Sequence, residues 1–269
     1  MKPAYPLDIF QRTPKTNCGE CGYPSCLAFG AAVAKTGADP HKCPSIDLTG
    51  LVLEETLGTD SEGLARERDL ALVEHLKGKV AGLDFSAIAD KLGAAWQVER
   101  PDSLVFPFLG RQVVLAKDSV LIDQIEPDDP RDAILLYNYV FSAGGRKPDG
   151  EWIGMESMPN SISKVRTLAT YCEDRLAELF AGKTKADSLS LAERVGGKEG
   201  PGSSAFFEVI IPVLPMIPLY VLFWGAEPED GFPAKVKVLF DHHVLDFLDL
   251  ESLVFTAERM ADRLLALGG

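Results

Sequence analysis

Cysteine is scarce in this chain: there are five, and only Cys172 follows residue 43. A disulfide framework would be spread over the fold it staples, so a secreted disulfide scaffold is excluded. Positive charge is also in deficit. Lys and Arg number 27 against 40 Asp and Glu, a formal net charge of −13. Duplex nucleic acid and anionic membranes are therefore poor partners. An uninterrupted hydrophobic run is missing too. The longest apolar stretch, residues 206–224, carries Glu208 and prolines at 212, 215 and 218. It has about the length of a membrane span, but buried β structure with proline-interrupted ends is the expectation, with no membrane span. Residues 1–6 lack the apolar core of a signal peptide, so a reducing, cytoplasmic home is expected. No Ser-His-Asp order and no glycosidase-like carboxylate pair stands out.

What is present is ordinary globular composition, 46% hydrophobic and 25% charged over 269 residues. That is enough for one sizeable domain and a small appendage, or for two modest domains. Charge divides the chain: residues 1–47 hold five Lys/Arg and four Asp/Glu, a net +1, which leaves −14 for the rest. A polar connector within 45–65 marks the expected boundary, giving a small unit at 1–50 and a larger one at 65–269. Apolar periodicity predicts helices at 64–79, 85–92, 131–143, 161–180 and 250–267. The helix at 161–180 would place Ile162, Val165, Leu168, Ala169, Cys172, Leu176, Leu179 and Phe180 on one face. Short strands at 104–108, 112–116 and 119–125 suggest an antiparallel meander, and further strands are expected at 205–211, 219–224 and 234–240. Helices and strands come in runs, so the expected class is α+β.

The other four cysteines are clustered. Cys18, Cys21, Cys26 and Cys43 follow the pattern C-x2-C-x4-C-x16-C, with Pro44 directly after the last. Four thiolates at one end of the chain point to a metal centre. Structural zinc usually takes two separated C-x2-C knuckles, whereas only one is present. Reduced structural thiols would explain neither the grouping nor the glycines beside it. An iron–sulfur cluster accommodates the asymmetry, because each iron needs one thiolate and the ligands come from a wrapped loop. Gly19 and Gly22 each follow a cysteine and free backbone N–H groups to face cluster sulfur. Pro24, Lys35 and Gly37 suit the first turn, last turn and stop of a helix, with Cys26 in its first turn, where N–H groups favour a thiolate. A [4Fe–4S] cluster is the leading expectation, with zinc the alternative.

The segment Asn17-Cys18-Gly19-Glu20-Cys21-Gly22-Tyr23-Pro24-Ser25-Cys26-Leu27-Ala28-Phe29, closing at Lys42-Cys43-Pro44, resembles a known [4Fe–4S] domain. It is the one at the start of the corrinoid iron–sulfur protein large subunit of acetyl-CoA metabolism. Similar domains occur in the iron–sulfur subunit of the Rnf electron-transport complex. The resemblance covers about residues 1–50. It implies that Cys18, Cys21, Cys26 and Cys43 bind the cluster and that single electrons move at low potential. The remainder departs from those proteins, since residues 65–269 are too few for a barrel plus a corrinoid domain. Instead 211–219, Phe223-Trp224, 231–234 and 238–241 resemble an uncharacterised prokaryotic domain family, often fused to this cluster domain in anaerobes.

These features together suggest electron transfer toward a corrinoid or a partner redox protein. A sensor or docking module, whose second domain binds a protein or small molecule without turnover, is the alternative. Other residues are weaker candidates. Cys172 is expected to be a buried inert thiol. His41 stands two residues before Cys43 and has a place either at a cluster sulfur or in solvent. Asp241, His242 and His243 follow a strand end, where cleft residues gather, yet adjacent histidines should point apart. Residues 196–202, rich in glycine, lack phosphate-loop spacing and suggest a mobile connection. Trp224 is expected in the core.

Overall fold

The computed structural model describes residues 6–23, 25–36, 38–48, 61–227, 229 and 231–268. Pro24, Gly37 and most of the expected connector lie outside those residues, as do the side chains of Lys35 and Ser61. The chain divides into two compact units, Met1–Leu70 and Ala71–Gly269.

The smaller unit has two helices, α1 (Pro6–Gln11) and α2 (Cys26–Thr36), and a 3-10 turn at Pro40–Lys42. Ser25 caps α2, its hydroxyl accepting the Ala28 N–H at 3.1 Å. Asp39 caps the 3-10 turn, accepting the His41 N–H at 2.9 Å. Such caps satisfy N–H groups that a helix start leaves without partners. Ile9, Phe29, Val33 and Cys43 form a small core, with Cys21, Tyr23 and Ile46 packed around it. The Tyr23 and Phe29 rings lie 5.5 Å apart. The Asp47 N–H donates to the Arg12 carbonyl at 3.0 Å and closes the loop that holds all four cysteines. A core this small depends on such ties and on any bound group.

The larger unit is α+β. Helix α3 (Ser61–Val80), which begins before it, contributes Val73, Leu76 and Val80 to its core. After α4 (Phe85–Ile88) comes an antiparallel sheet ordered β1 (Ala95–Gln97), β2 (Arg100–Phe108), β3 (Arg111–Ala116), β4 (Val120–Ile122). Leu109 and Gly110 join β2 to β3 with φ of 50° and 75°. That is the turn whose twist suits a two-residue hairpin. Helix α5 (Pro130–Phe141) starts with Asp129 as cap and proline in its first turn.

The second sheet has the order β5-β9-β8-β7-β6, all antiparallel, from β5 (Trp152–Gly154), β6 (Lys198–Glu199), β7 (Phe207–Leu214), β8 (Ile217–Trp224) and β9 (Lys235–Asp241). Between β5 and β6 run α6 (Ile162–Leu168), a π turn (Ala169–Glu173), α7 (Asp174–Phe180) and α8 (Lys185–Glu193). The last helix is α9 (Leu250–Gly268), amphipathic along its length. Among the described residues no helix is long and apolar enough to cross a membrane.

Three expectations need correction. The helix at 161–180 does bury Leu168, Cys172, Leu176 and Phe180, but Ile162 is 90% exposed. A stripe repeating every four residues drifts about 40° per step on an α-helix, and the wider π turn takes up that drift. Ile162 falls outside the corrected stripe. Residues 196–202 are not a mobile connection. Lys198 and Glu199 pair with β7, the Gly197 N–H bonds to the Ala192 carbonyl at 2.9 Å, and the Gly202 N–H bonds to Glu208. The prolines gather at the facing ends of β7 and β8, as expected: Pro212 faces Pro218 beside a register shift, and Pro215 lies in the turn between the strands. Trp224 is only half-buried, at the end of β8 beside a cleft.

Candidate metal centre

The cysteine loop is shaped by backbone conformation more than by packing. Lys15, Asn17, Gly19 and Gly22 have φ of 58°, 51°, 76° and 83°. Alternation of left- and right-handed residues turns successive N–H groups toward one side, a concavity that suits an anion. A side chain at Gly19 or Gly22 would meet nothing within 4 Å, so conformation, not crowding, calls for glycine there. The Gly22 N–H closes a turn onto the Gly19 carbonyl at 2.9 Å and sets the step between Cys18 and Cys21.

The four thiols differ in setting. Cys18 is exposed, Cys21 half-buried, and Cys26 and Cys43 are buried at 6% each. Asn17 grips Cys26 from both sides. Its side-chain Oδ1 accepts the Cys26 N–H at 2.8 Å, while its own N–H faces the sulfur. That N–H is the main reason the Cys26 thiol is held below its ordinary value; burial opposes it, and the Thr13 hydroxyl and the Lys15 and Thr16 N–H groups assist. The Thr13 proton also serves the Phe10 carbonyl at 2.7 Å. The contacts at its sulfur favour the thiolate of Cys26 relative to the thiol, and the thiolate is the form that binds metal.

Among the described residues no three of these sulfurs lie within 4.8 Å of one another. An iron–sulfur group takes its thiolates on separate irons, and the N–H groups that face Cys26 suit the anionic sulfur such a group needs. His41 is exposed on the 3-10 turn, away from the small core. Cys172 is fully buried in the larger unit, and burial pushes its thiol well up, as an inert core thiol requires.

In the larger unit Asp241, His242 and His243 end β9 and enter the following turn. The two rings do not point apart. Their centroids lie 3.7 Å from each other, and both face Asp149. The expectation of divergence holds for an extended strand, and the chain turns here instead. Asp149 carried no sequence signal, standing 92 residues from Asp241. Elsewhere the π turn helps line a cleft of about 550 Å³ with Glu173, Asp174, Trp224, Phe232 and Lys235. Glu173, raised by burial, is tied there to the Val238 N–H at 2.9 Å.

The family described as "Domain of unknown function (DUF3786)" matches residues 84–263, well over half of the chain. The chain belongs to this family. Residues 14–45 match a second family, described as "Putative Fe-S cluster". Together with the relatives below, that match makes the chain an iron–sulfur protein. It is 46% identical over 44 residues to the corrinoid/iron-sulfur protein large subunit of Moorella thermoacetica, covering 16% of this chain and 10% of that one. It is 44% identical over 41 residues to the acetyl-CoA decarbonylase/synthase complex subunit gamma of Methanocaldococcus jannaschii, covering 15% and 8%. The corresponding subunit of Methanosarcina acetivorans is 28% identical over 157 residues, covering 49% of this chain and 32% of that one. The chain thus spans a tenth or less of the first two relatives' length and a third of the last. No solved structure matches.

Proposed function

We propose that Cys18, Cys21, Cys26 and Cys43 hold one [4Fe–4S] cluster through which the chain passes single electrons, toward a corrinoid or partner redox protein of anaerobic metabolism. The observation that carries this reading is the environment of Cys26. Three backbone N–H groups and a hydroxyl favour its thiolate, inside the segment that matches an iron–sulfur family. When bound, the cluster supplies one-electron redox chemistry. The chain's own part is to keep sulfur charged, oriented and unequally wet. Cys43 sits beside Ile9, Phe29 and Val33, which exclude water, and Cys26 is buried as well, while Cys18 faces solvent. N–H donors to sulfur stabilise the added electron, and the exposed corner is where a redox partner approaches. The corrinoid direction rests on the printed names of relatives that share a small part of their length with this chain.

The test begins with anaerobically reconstituted protein, which should carry about four irons per chain and turn brown. Reduction should give a half-integer-spin resonance that disappears on reoxidation. Cys21→Ser should lose the chromophore and leave tryptophan fluorescence unchanged. Zinc in place of iron would overturn the proposal. A cluster that falls apart on reduction would favour the sensing alternative.

A further inference from the structure

We infer that Asp149, His242 and His243 form a binding site for a first-row divalent metal ion, with zinc as the probe ion. This site lies wholly in the larger unit and does not rest on the cluster reading. One ligand atom from each residue lies within 4.8 Å of the others. His242 Nδ1 stands 3.6 Å from Asp149 Oδ1, and His243 Nε2 stands 3.5 Å from Asp149 Oδ2. Glu151 adds a carboxylate at the rim, its Oε2 3.3 Å from the same His242 nitrogen. These separations are long for hydrogen bonds, which run at about 2.7–3.2 Å. Each is near the edge of a coordination tetrahedron, about 3.3–3.4 Å for metal–nitrogen and metal–oxygen bonds near 2.0–2.1 Å, with Asp149 offering a different oxygen to each imidazole. His242 Nδ1 is buried and has no hydrogen-bond partner, although two carboxylates face it. An ion between them would give that nitrogen its partner.

The fold builds this arrangement. Trp152 pairs with Asp241 in the β5–β9 ladder, so the chain entering β5 passes the chain leaving β9. The His242 N–H extends the ladder to the Glu151 carbonyl at 3.0 Å. Asp241, fully buried, then clamps both strands. Its Oδ2 accepts the N–H groups of Asp149 at 3.0 Å and Gly150 at 2.8 Å, and its Oδ1 accepts the His243 N–H at 3.0 Å. Gly150 makes the turn with φ of 87°. A second clamp flanks the first: Arg146 binds Asp246 through Nε at 2.7 Å and Nη2 at 2.8 Å. The ligands are therefore held by residues that do not themselves bind the ion, as metal sites require.

Imidazole with carboxylate selects zinc, cobalt, nickel or iron over magnesium or calcium. Asp149 and Glu151 are exposed, so one side of the site opens to solvent. Three protein ligands and an open side are the pattern of a site that also takes water or a substrate oxygen, unlike a closed structural knuckle.

The test is a calorimetric titration of the cluster-loaded full chain with zinc chloride, after treatment with a chelator mild enough to keep its iron. One zinc per chain is expected, with iron content unchanged. His242→Ala and Asp149→Asn should each weaken binding about 100-fold. Asp149 is an exposed side chain, and asparagine keeps an oxygen for the Glu151 N–H that Asp149 accepts at 3.0 Å, so this variant decides the case if the histidine variant unfolds. Equal affinity in wild type and Asp149→Asn would overturn the inference. So would zinc uptake that displaces iron, since that would place it at the cysteines.

Discussion

Asp241→Asn isolates the clamp beneath the histidine–carboxylate cluster. The wild-type carboxylate accepts three backbone N–H groups with two oxygens, and no solvent reaches it. Asparagine is nearly the same size but has one oxygen and one NH₂. Either orientation therefore sets a donor against at least one buried N–H. Hydrogen bonds to a charged group contribute about 1.5–3 kcal/mol, and an orphaned buried donor costs about 1–3 kcal/mol. With one or two bonds lost and partial relaxation, the expected destabilisation is about 2–4 kcal/mol. For a domain of this size each kcal/mol lowers Tm by about 2–4 °C, so a fall of about 5–15 °C is expected. All three tryptophans, Trp96, Trp152 and Trp224, lie in the larger unit, so fluorescence-detected unfolding reports on it alone. Asp149→Asn is the control. Its side chain is 53% exposed, and the change should stay within about 0.5 kcal/mol. If Asp241→Asn unfolds within about 1 kcal/mol of wild type, or no worse than the control, the clamp is not what holds these strands.

Asn17→Ala should remove the Oδ1 bond to the Cys26 N–H and put alanine at a φ of 51°. The cost is about 1–3 kcal/mol to the small unit, visible as faster bleaching by chelator with unchanged tryptophan fluorescence. Arg259→Met should strand Asp132, ion-paired to it at 2.7 Å, while Asp129 keeps Arg131 at 2.8 Å, for a loss of about 3 kcal/mol in urea unfolding. The pH dependence has a definite sign at Asp129. Burial raises its pKa, but the Arg131 side-chain and backbone N–H bonds and Arg259 outweigh that and bring it to about 2. A depressed folded pKa gives stability that is complete above about pH 4 and lost as pH falls toward 2. Urea midpoints across that range should fall more steeply in wild type than in Asp129→Asn. Burial raises the Asp132 pKa, so that group acts in the opposite sense. Cys172 should resist iodoacetamide in the native protein at pH 8 and react in urea; rapid native labelling would contradict its burial.

The features legible in the sequence were those written at short range. The cysteine loop declares itself through spacing, and the caps at Asp129 and Asp39 sit directly before prolines. The three long strands of the second sheet show in the sequence, β7 and β8 as apolar runs and β9 by its Lys-Val-Lys-Val alternation. Short edge strands do not. β1 and β5 have three residues each, too few to show alternation, and form only because a longer neighbour offers a free edge. Helix α8 was missed because its polar and apolar residues show no helical period. The Thr184 cap, accepting the Asp187 N–H at 3.1 Å, is the local signal that was available. Asp149 had no signal at all, because its role depends on which strand β5 chooses.

That choice explains why the cysteine loop and the histidine–carboxylate cluster should respond differently to sequence change. The cysteine loop is closed within a single segment by the backbone bond between Asp47 and Arg12, so its shape belongs to that segment. The histidine–carboxylate cluster depends on strand register. A slip of one residue between β5 and β9 would turn every side chain of β5 to the opposite face. Edge strands of three residues have little of their own to prevent this. Asp241 supplies the missing constraint, because only with Trp152 opposite it do the N–H groups of Asp149 and Gly150 both reach one carboxylate oxygen. The register that satisfies this buried charge is the same register that brings the Asp149 carboxylate to both histidines. Loss of the ion-binding geometry and loss of edge-strand pairing should therefore go together.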